Sequence, residues 1–195
     1  MRYLANILPL LSLSLLLSAC ASSVTPPARY MLPSSPAVDA PAQPQGTLHV
    51  RSLRLAHYLD VDGIVMQLDD ITLNEAREHQ WAESLARQLE RTLRAHLAHE
   101  LPTTQVVREE SNASNALTLQ LEIDQFQGRY DGVAVASGQW QLRTASNELL
   151  ALKSFTAKTE LNEDGYPALV RALSTSWANS AAQIANQLLQ GNYFE

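Results

Sequence analysis

Hydrophobic residues along this chain follow two spacings, and the switch between them marks out the elements. From Leu117 the apolar positions strictly alternate (Leu117, Leu119, Leu121, Ile123), the pattern of a half-buried strand. Phe126 falls out of that phase, so a bulge or twist is expected near Asp124-Gln125. Asp131-Gly132 predicts a hairpin turn. On the strand that follows, Ala134, Ala136, Gly138, Trp140 and Leu142 share one face, with Val133 and Val135 on the other. Asn147 marks a further turn and Leu149–Leu161 returns, so three consecutive antiparallel strands are expected. Upstream, Leu48, Val50 and Ser52 alternate with Thr47, His49 and Arg51 in the same way. Asp60-Val61-Asp62-Gly63 reads as a turn, and Gly63–Leu68 as a strand that can run on through Ile71 and Leu73.

A four-residue spacing takes over in two places. Trp81, Leu85, Leu89, Leu93 and Leu97 predict one amphipathic helix, with Asn74 as its cap and Pro102 closing it. Glu83/Arg87 and Glu90/Arg94 stand four apart on it in the orientation that favours ion pairs. Val170, Leu173, Trp177, Ala181, Ile184 and Leu188 predict a second helix, with Pro167 in its first turn and Gly191 beyond its end. The economical architecture is α+β, a mostly antiparallel β-sheet with two amphipathic helices packed on one face.

The N-terminus has neither spacing. Arg2 precedes a run that is mostly Leu and Ile from Ile7 to Leu17, broken by Pro9, Ser12 and Ser14. A helix that spans a bilayer needs roughly 20 apolar residues, so this run is short, but it suits a secretory h-region. Leu17-Ser18-Ala19-Cys20 resembles a bacterial lipobox, which implies cleavage between Ala19 and Cys20, a diacylglycerol on the sulfur and an acyl chain on the new amino terminus. Cys20 is the only cysteine, so no disulfide can form within the chain. Stable membrane anchoring takes about two lipid signals, and three chains exceed that. Ala21 stands where an inner-membrane retention signal would have Asp, which favours the outer membrane, periplasmic face. Residues 1–19 are thus expected to be a signal peptide, 20–46 a lipidated Cys with a Pro-rich flexible tether, and 47–195 a single periplasmic domain. Six of the nine prolines fall in 21–46. Such a segment would span about 28 Å as a coil and about 80 Å as extended polyproline. Arg29-Tyr30-Met31-Leu32 is an apolar patch inside it, either plain linker or a segment that docks on the domain or forms an early edge strand.

Charge and composition narrow the partners. The chain carries a net charge of −6 over 195 residues, which argues against nucleic acid and against electrostatic adsorption to anionic lipid. No catalytic constellation is apparent. His96 and His99 lie three apart near a helix end, but the His-Glu-x-x-His pattern and a third ligand are missing. Asp60-x-Asp62-Gly63 lacks the remaining ligands of a calcium loop. Ser137 lacks the flanking glycines of a hydrolase elbow. Neither enzymatic activity nor a metal or cofactor is expected. Trp81, Trp140 and Trp177 are read as core, whereas Tyr58 and Leu59 before one turn and Tyr130 at another are candidate surface contacts.

Residues 50–68 (VRSLRLAHYLDVDGIVMQL), 74–93 (NEAREHQWAESLARQLERTL) and 124–142 (DQFQGRYDGVAVASGQWQL), with Arg29-Tyr30-x-Leu32 after the lipobox, resemble the ABC-type transport auxiliary lipoproteins. The resemblance runs from about Tyr30 to about Leu189. It implies a non-enzymatic subunit of an MCE-type intermembrane lipid transport complex. The implied partners are an MCE-domain tunnel protein and its inner-membrane partner, with the lipoprotein as a homo-oligomeric ring at the outer membrane. The alternative, served equally by an anchor, a spacer and a small domain, is an outer-membrane lipoprotein that activates a peptidoglycan enzyme.

Overall fold

A computed structural model describes residues 26–33, 39–51, 53–108 and 116–194. The signal segment and the lipobox with Ala19 and Cys20 lie outside the described residues. Among the described residues, nine strands form one mixed sheet, covered on one face by two helices. Its backbone is the meander β7 (Leu117–Arg129), β8 (Val133–Arg143) and β9 (Leu149–Glu160), antiparallel throughout. The register of β7 against β8 shifts between Ile123 and Gln125, the bulge that Phe126 foretells. Gly132 (φ 77°) and Asn147 (φ 68°) sit in the two connecting turns, and both adopt the left-handed conformation.

Along the other edge of β7, β2 (Gly46–Val50), β3 (Arg54–Leu55) and β4 (Gly63–Gln67) line up end to end, all parallel to it. Beyond β2 lies β6 (Thr104–Arg108), also parallel. Beyond β4 lies β5 (Leu73–Trp81), antiparallel, and then β1 (Ala28–Tyr30), parallel to β5. The α+β class therefore stands. The longest ladders are antiparallel, and the parallel additions make the sheet mixed. Alternation along a strand says which face is buried and nothing about the direction of its neighbour, so local sequence carries no sign of these additions.

The first helix differs from the reading of its sequence. Residues 73–81 form β5, and α1 spans Leu85–Glu100 with Ser84 as N-cap. Trp81 keeps the four-residue phase of the helix but is the last residue of the strand. Segment 73–81 is paired on both sides, by β4 and β1, and those ladders outweigh its modest helical preference. The second helix, α2, spans Tyr166–Gln190, with Pro167 in its first turn and Gly191 as C-cap. It lies across β8 and β9 and beside α1. Gly63 opens β4 without a positive φ. Its lack of a side chain matters because a Cβ there would overlap the Ala76 carbonyl across the β4–β5 ladder.

The core lies between sheet and helices. Leu89, Leu93 and Leu97 of α1 and Leu173, Trp177, Ala181, Ile184 and Leu188 of α2 are fully buried against Phe126, Trp140 and Phe155. Trp177 donates from Nε1 to the Leu89 carbonyl at 3.1 Å, which ties the helices together through the core. On the opposite face of the meander polar side chains pair across strands, the Gln141 amide donating to Gln120 at 2.9 Å and the Ser137 hydroxyl to Gln125 at 3.1 Å.

Of the two readings of Arg29–Leu32, the edge strand is the one observed. The Tyr30 carbonyl accepts from the Ala82 N–H at 2.8 Å, and Leu32 is buried in the core. The Leu32 N–H donates to Oε1 of Gln88 at 2.8 Å, and Nε2 of Gln88 donates to the Glu83 carbonyl at 3.1 Å. Gln88 is fully buried, so both bonds form away from water. Gln88→Ala leaves a buried donor unmet and is expected to cost about 2 kcal/mol. Urea unfolding checks the loss, and faster proteolysis between Tyr30 and Leu32 checks that this segment is what comes loose.

Candidate functional site

One end of the molecule gathers the features that need a functional account. There the β4–β5 hairpin and the β7–β8 turn lie side by side, because Gln67 pairs with Arg129. The hairpin closes with the Leu68 N–H donating to the Thr72 carbonyl at 2.9 Å. Asp69 organises its tip by accepting from the Ile71 N–H at 2.9 Å and the Thr72 N–H at 2.7 Å. This turn displays Ile71, which is 87% exposed, with Leu68 and Leu73 also exposed. Across the adjoining turn Tyr130 is 57% exposed. The Arg129 guanidinium lies over the Tyr130 ring at 5.9 Å and donates to Asp131 at 2.8 Å.

Beside Tyr130 opens a cleft of about 300 Å³, walled by Met66, Leu161, Tyr166 and Leu169, with Arg129 and Asp164 at its polar margin. Gly165 (φ 101°) turns the chain into α2 at this cleft. Tyr166, the first residue of α2, stacks on His79 of β5 at 3.9 Å between ring centres, and the His79 Nδ1 shares a 2.9 Å hydrogen bond with the Tyr30 phenol. Burial, and then nearby Tyr30, holds the Tyr166 phenol above its usual range. The incoming strand β1, the hairpin strand β5 and the start of α2 are thereby joined through three rings.

The Asp69 carboxyl is held below its ordinary value of 3.8, first by the Ile71 N–H and then by the hydrogen bonds from Thr72. A carboxyl lowered by folding contributes stability that is present above its unfolded value and is lost as pH falls through the native one. The tip is therefore expected to stay ordered through pH 4 and to loosen only below 3.8. Amide resonances of Ile71 and Thr72 followed through an acid titration check this, with a midpoint expected below 3.8.

The other candidate contacts lie elsewhere. Leu59, in the 3₁₀ turn His57–Leu59, is 1% exposed and belongs to the core, which corrects its reading as a surface contact. Its backbone amide bonds back to Ala56, which turns the side chain of this otherwise exposed loop inward. Tyr58 is half-buried, with its phenol 2.6 Å from both the Asp124 carbonyl and the Gln127 side-chain amide. The single phenol proton is shared between two acceptors, the Asp124 carbonyl and Oε1 of Gln127, while Nε2 of Gln127 donates to Oε1 of Gln67 at 3.4 Å. Burial, with Asp124 adding to it, pushes this phenol up to about 12. Tyr58 is a buttress for the bulge in β7, and Tyr130 alone of the three is well exposed.

The remaining chemical candidates have local partners. Ser137 bonds Gln125 on the outer face of the sheet. Burial pulls the His96 imidazole below its ordinary value, Glu100 pulls it back up and His99 adds to the lowering. Among the described residues no three metal-binding side chains meet. A wider cleft of about 730 Å³ along α1 is lined by Arg87, Arg91, Arg94 and Arg108 with Glu83 and Glu90. Glu90 pairs with Arg94 as the spacing predicts and also with Arg108, while Glu83 pairs with Arg91 in place of Arg87. The exposed hairpin tip is hidden in the sequence because the apolar residues of Gly63–Leu68 run on through Ile71 and Leu73. Asp69-Asp70 in the middle of that run is the signal for a turn.

The family model for the ABC-type transport auxiliary lipoprotein component matches residues 30–185, and the chain belongs to that family. Intermembrane transport lipoprotein PqiC from Escherichia coli (strain K12) is 32% identical over 177 residues, covering 90% of this chain and 93% of that protein. PqiC from Shigella flexneri matches to the same extent. Among solved structures, an uncharacterised protein superposes with a TM-score of 0.73 at 30% identity, covering 84% of this chain and 99% of its own. A protein from Xanthomonas campestris shares the fold with a TM-score of 0.64 at 18% identity, covering 87% and 96%.

Proposed function

We propose that this chain is a lipid-anchored subunit of a Pqi-like intermembrane lipid transport system. Cleavage after Ala19 leaves Cys20 as the acylated first residue, which holds the domain at the periplasmic face of the outer membrane. There the protein docks the end of an MCE-domain tunnel protein that stands on an inner-membrane partner. It works as a homo-oligomeric ring, supports envelope integrity and performs no reaction of its own. The observation that carries this reading is the 32% identity to PqiC across 90% of the chain. The local partners of the serine and the paired histidines are in keeping with a role in positioning.

Crosslinking in the intact envelope followed by purification of this chain is expected to recover an MCE-domain protein. Recovery of a cell-wall synthase in its place, with no MCE protein, overturns the proposal in favour of the peptidoglycan role. Intact mass of the processed chain is expected to show a tri-acylated Cys20, and an unmodified first residue removes the anchor.

A further inference from the structure

The docking of β1 limits how far the domain can stand from its lipid. Cys20 precedes Ala28 by eight positions. At about 3.6 Å per residue at most, the lipidated sulfur lies within about 29 Å of the start of β1. The direction of approach matters as well. Strand β1 is parallel to β5, with Ala28 opposite His79, so a chain entering β1 comes from the side on which β5 begins. That side is the β4–β5 hairpin. Ile71 precedes His79 by the same eight positions, and the paired strand from Leu73 to His79 covers about 20 Å. The tip of the hairpin and the lipid are thus within the same reach of Ala28.

The surface at this tip has the character of a bilayer contact. Ile71 is 87% exposed, with Leu68 at 52% and Leu73 at 41% beside it, and Tyr130 is level with Leu68 through the Gln67–Arg129 register. Exposed aliphatic residues flanked by an aromatic with a polar end suit the interfacial layer of a membrane. Asp69 spends its carboxylate on the N–H groups of its own turn. With Asp70 and Asp131 also at this end, the contact rests on apolar side chains and suits zwitterionic headgroups. The other exposed leucine patch, Leu149, Leu150 and Leu152, lies by the β8–β9 turn at the opposite end of the meander.

We infer that the hairpin tip bearing Leu68 and Ile71, with Tyr130, rests in the headgroup layer of the membrane that holds Cys20. The inference depends on the anchor proposed above. It fixes the domain upright, with the β8–β9 turn facing away from the bilayer.

The test uses the processed, full-length lipoprotein in vesicles of phosphatidylethanolamine and phosphatidylcholine, with and without brominated acyl chains. Trp81, Trp140 and Trp177 are all at most 5% exposed, so the native indoles form a quiet background. A tryptophan is placed either at the tip (Ile71→Trp) or at the far end (Leu152→Trp). At an interfacial depth of about 5–10 Å, the added emission of Ile71→Trp is expected to fall about twofold with brominated lipid, and that of Leu152→Trp to stay unchanged. Intact mass taken on the same samples reads lipidation separately. A lipidated chain whose Ile71→Trp emission is unquenched, or quenched no more than that of Leu152→Trp, overturns the contact and leaves the anchor standing. Ile71→Trp emission that is blue-shifted without vesicles and indifferent to bromine assigns the tip to a second copy and also overturns it. A chain without acyl groups overturns both anchor and contact.

Discussion

Trp177→Ala is expected to lower the unfolding free energy by about 4 kcal/mol, the middle of the range for emptying a large aromatic site in a core. The side chain is 1% exposed and lies between both helices and the sheet. It meets the edges of Phe126 at 6.2 Å and Phe155 at 6.1 Å between ring centres, arrangements that add to simple burial. Its indole N–H also holds the Leu89 carbonyl, so truncation removes the polar tie between α1 and α2 with the apolar contact. The neighbours cannot collapse into the gap, because Phe126 is fixed at the bulge in β7 and Phe155 in the ladder of β9. Trp177→Phe keeps most of the volume and is expected to lose about half as much. Urea midpoints of the two variants check the order, and a cost below 1 kcal/mol for Trp177→Ala contradicts the packing described.

Gly138→Ala is expected to cost about 3 kcal/mol through one added methyl group. Gly138 lies on the inner side of the β7 bulge, opposite Ile123 and Phe155. A Cβ there overlaps the Glu122 carbonyl oxygen and crowds the Ile123 Cα, both backbone atoms of the neighbouring strand. A flexible side chain would swing aside, but β7 cannot, since it is paired along both edges. The strand must shift its register or part from β8, and either change moves Phe126 out of the core. Gly132→Ala is a useful contrast. Its φ of 77° strains an alanine, yet a Cβ there meets nothing, so only the conformational cost of about 1 kcal/mol applies. Denaturation curves are expected to separate the two, and equal losses would show that the bulge is looser than described.

The sequence made some of this legible and hid the rest for physical reasons. The stripe Val170–Leu188 on α2 and the alternation of β7 are local periodicities that stand directly for buried faces, and every residue of both apart from the half-buried Leu117 is in the core. The out-of-phase Phe126 located the bulge because one extra residue must flip the alternation. Segment 73–81 misled because Trp81 continues the spacing of α1, while the partners that make it a strand lie on two other segments. The candidate site depends on the same distant information. Tyr130 was recognisable as exposed beside a turn, but only the pairing of β4 with β7 sets it against Leu68 and Ile71. Leu59 shares that turn-flanking context, and only tertiary packing turns it inward.

The placement of β2, β3 and β4 end to end along β7 also governs how the polypeptide matures. Each must find a partner some 60 to 70 positions further on, with Leu48 opposite Leu117 and Gln67 opposite Arg129. Such separations raise contact order, and closing those loops before the ladder can reward them slows the search to about milliseconds or longer. During synthesis none of the three can pair with β7 until Leu117–Arg129 has emerged, whereas the meander needs only its own turns. Nucleation on the meander, with the earlier strands added afterwards, makes β2, β3 and β4 late arrivals to the sheet.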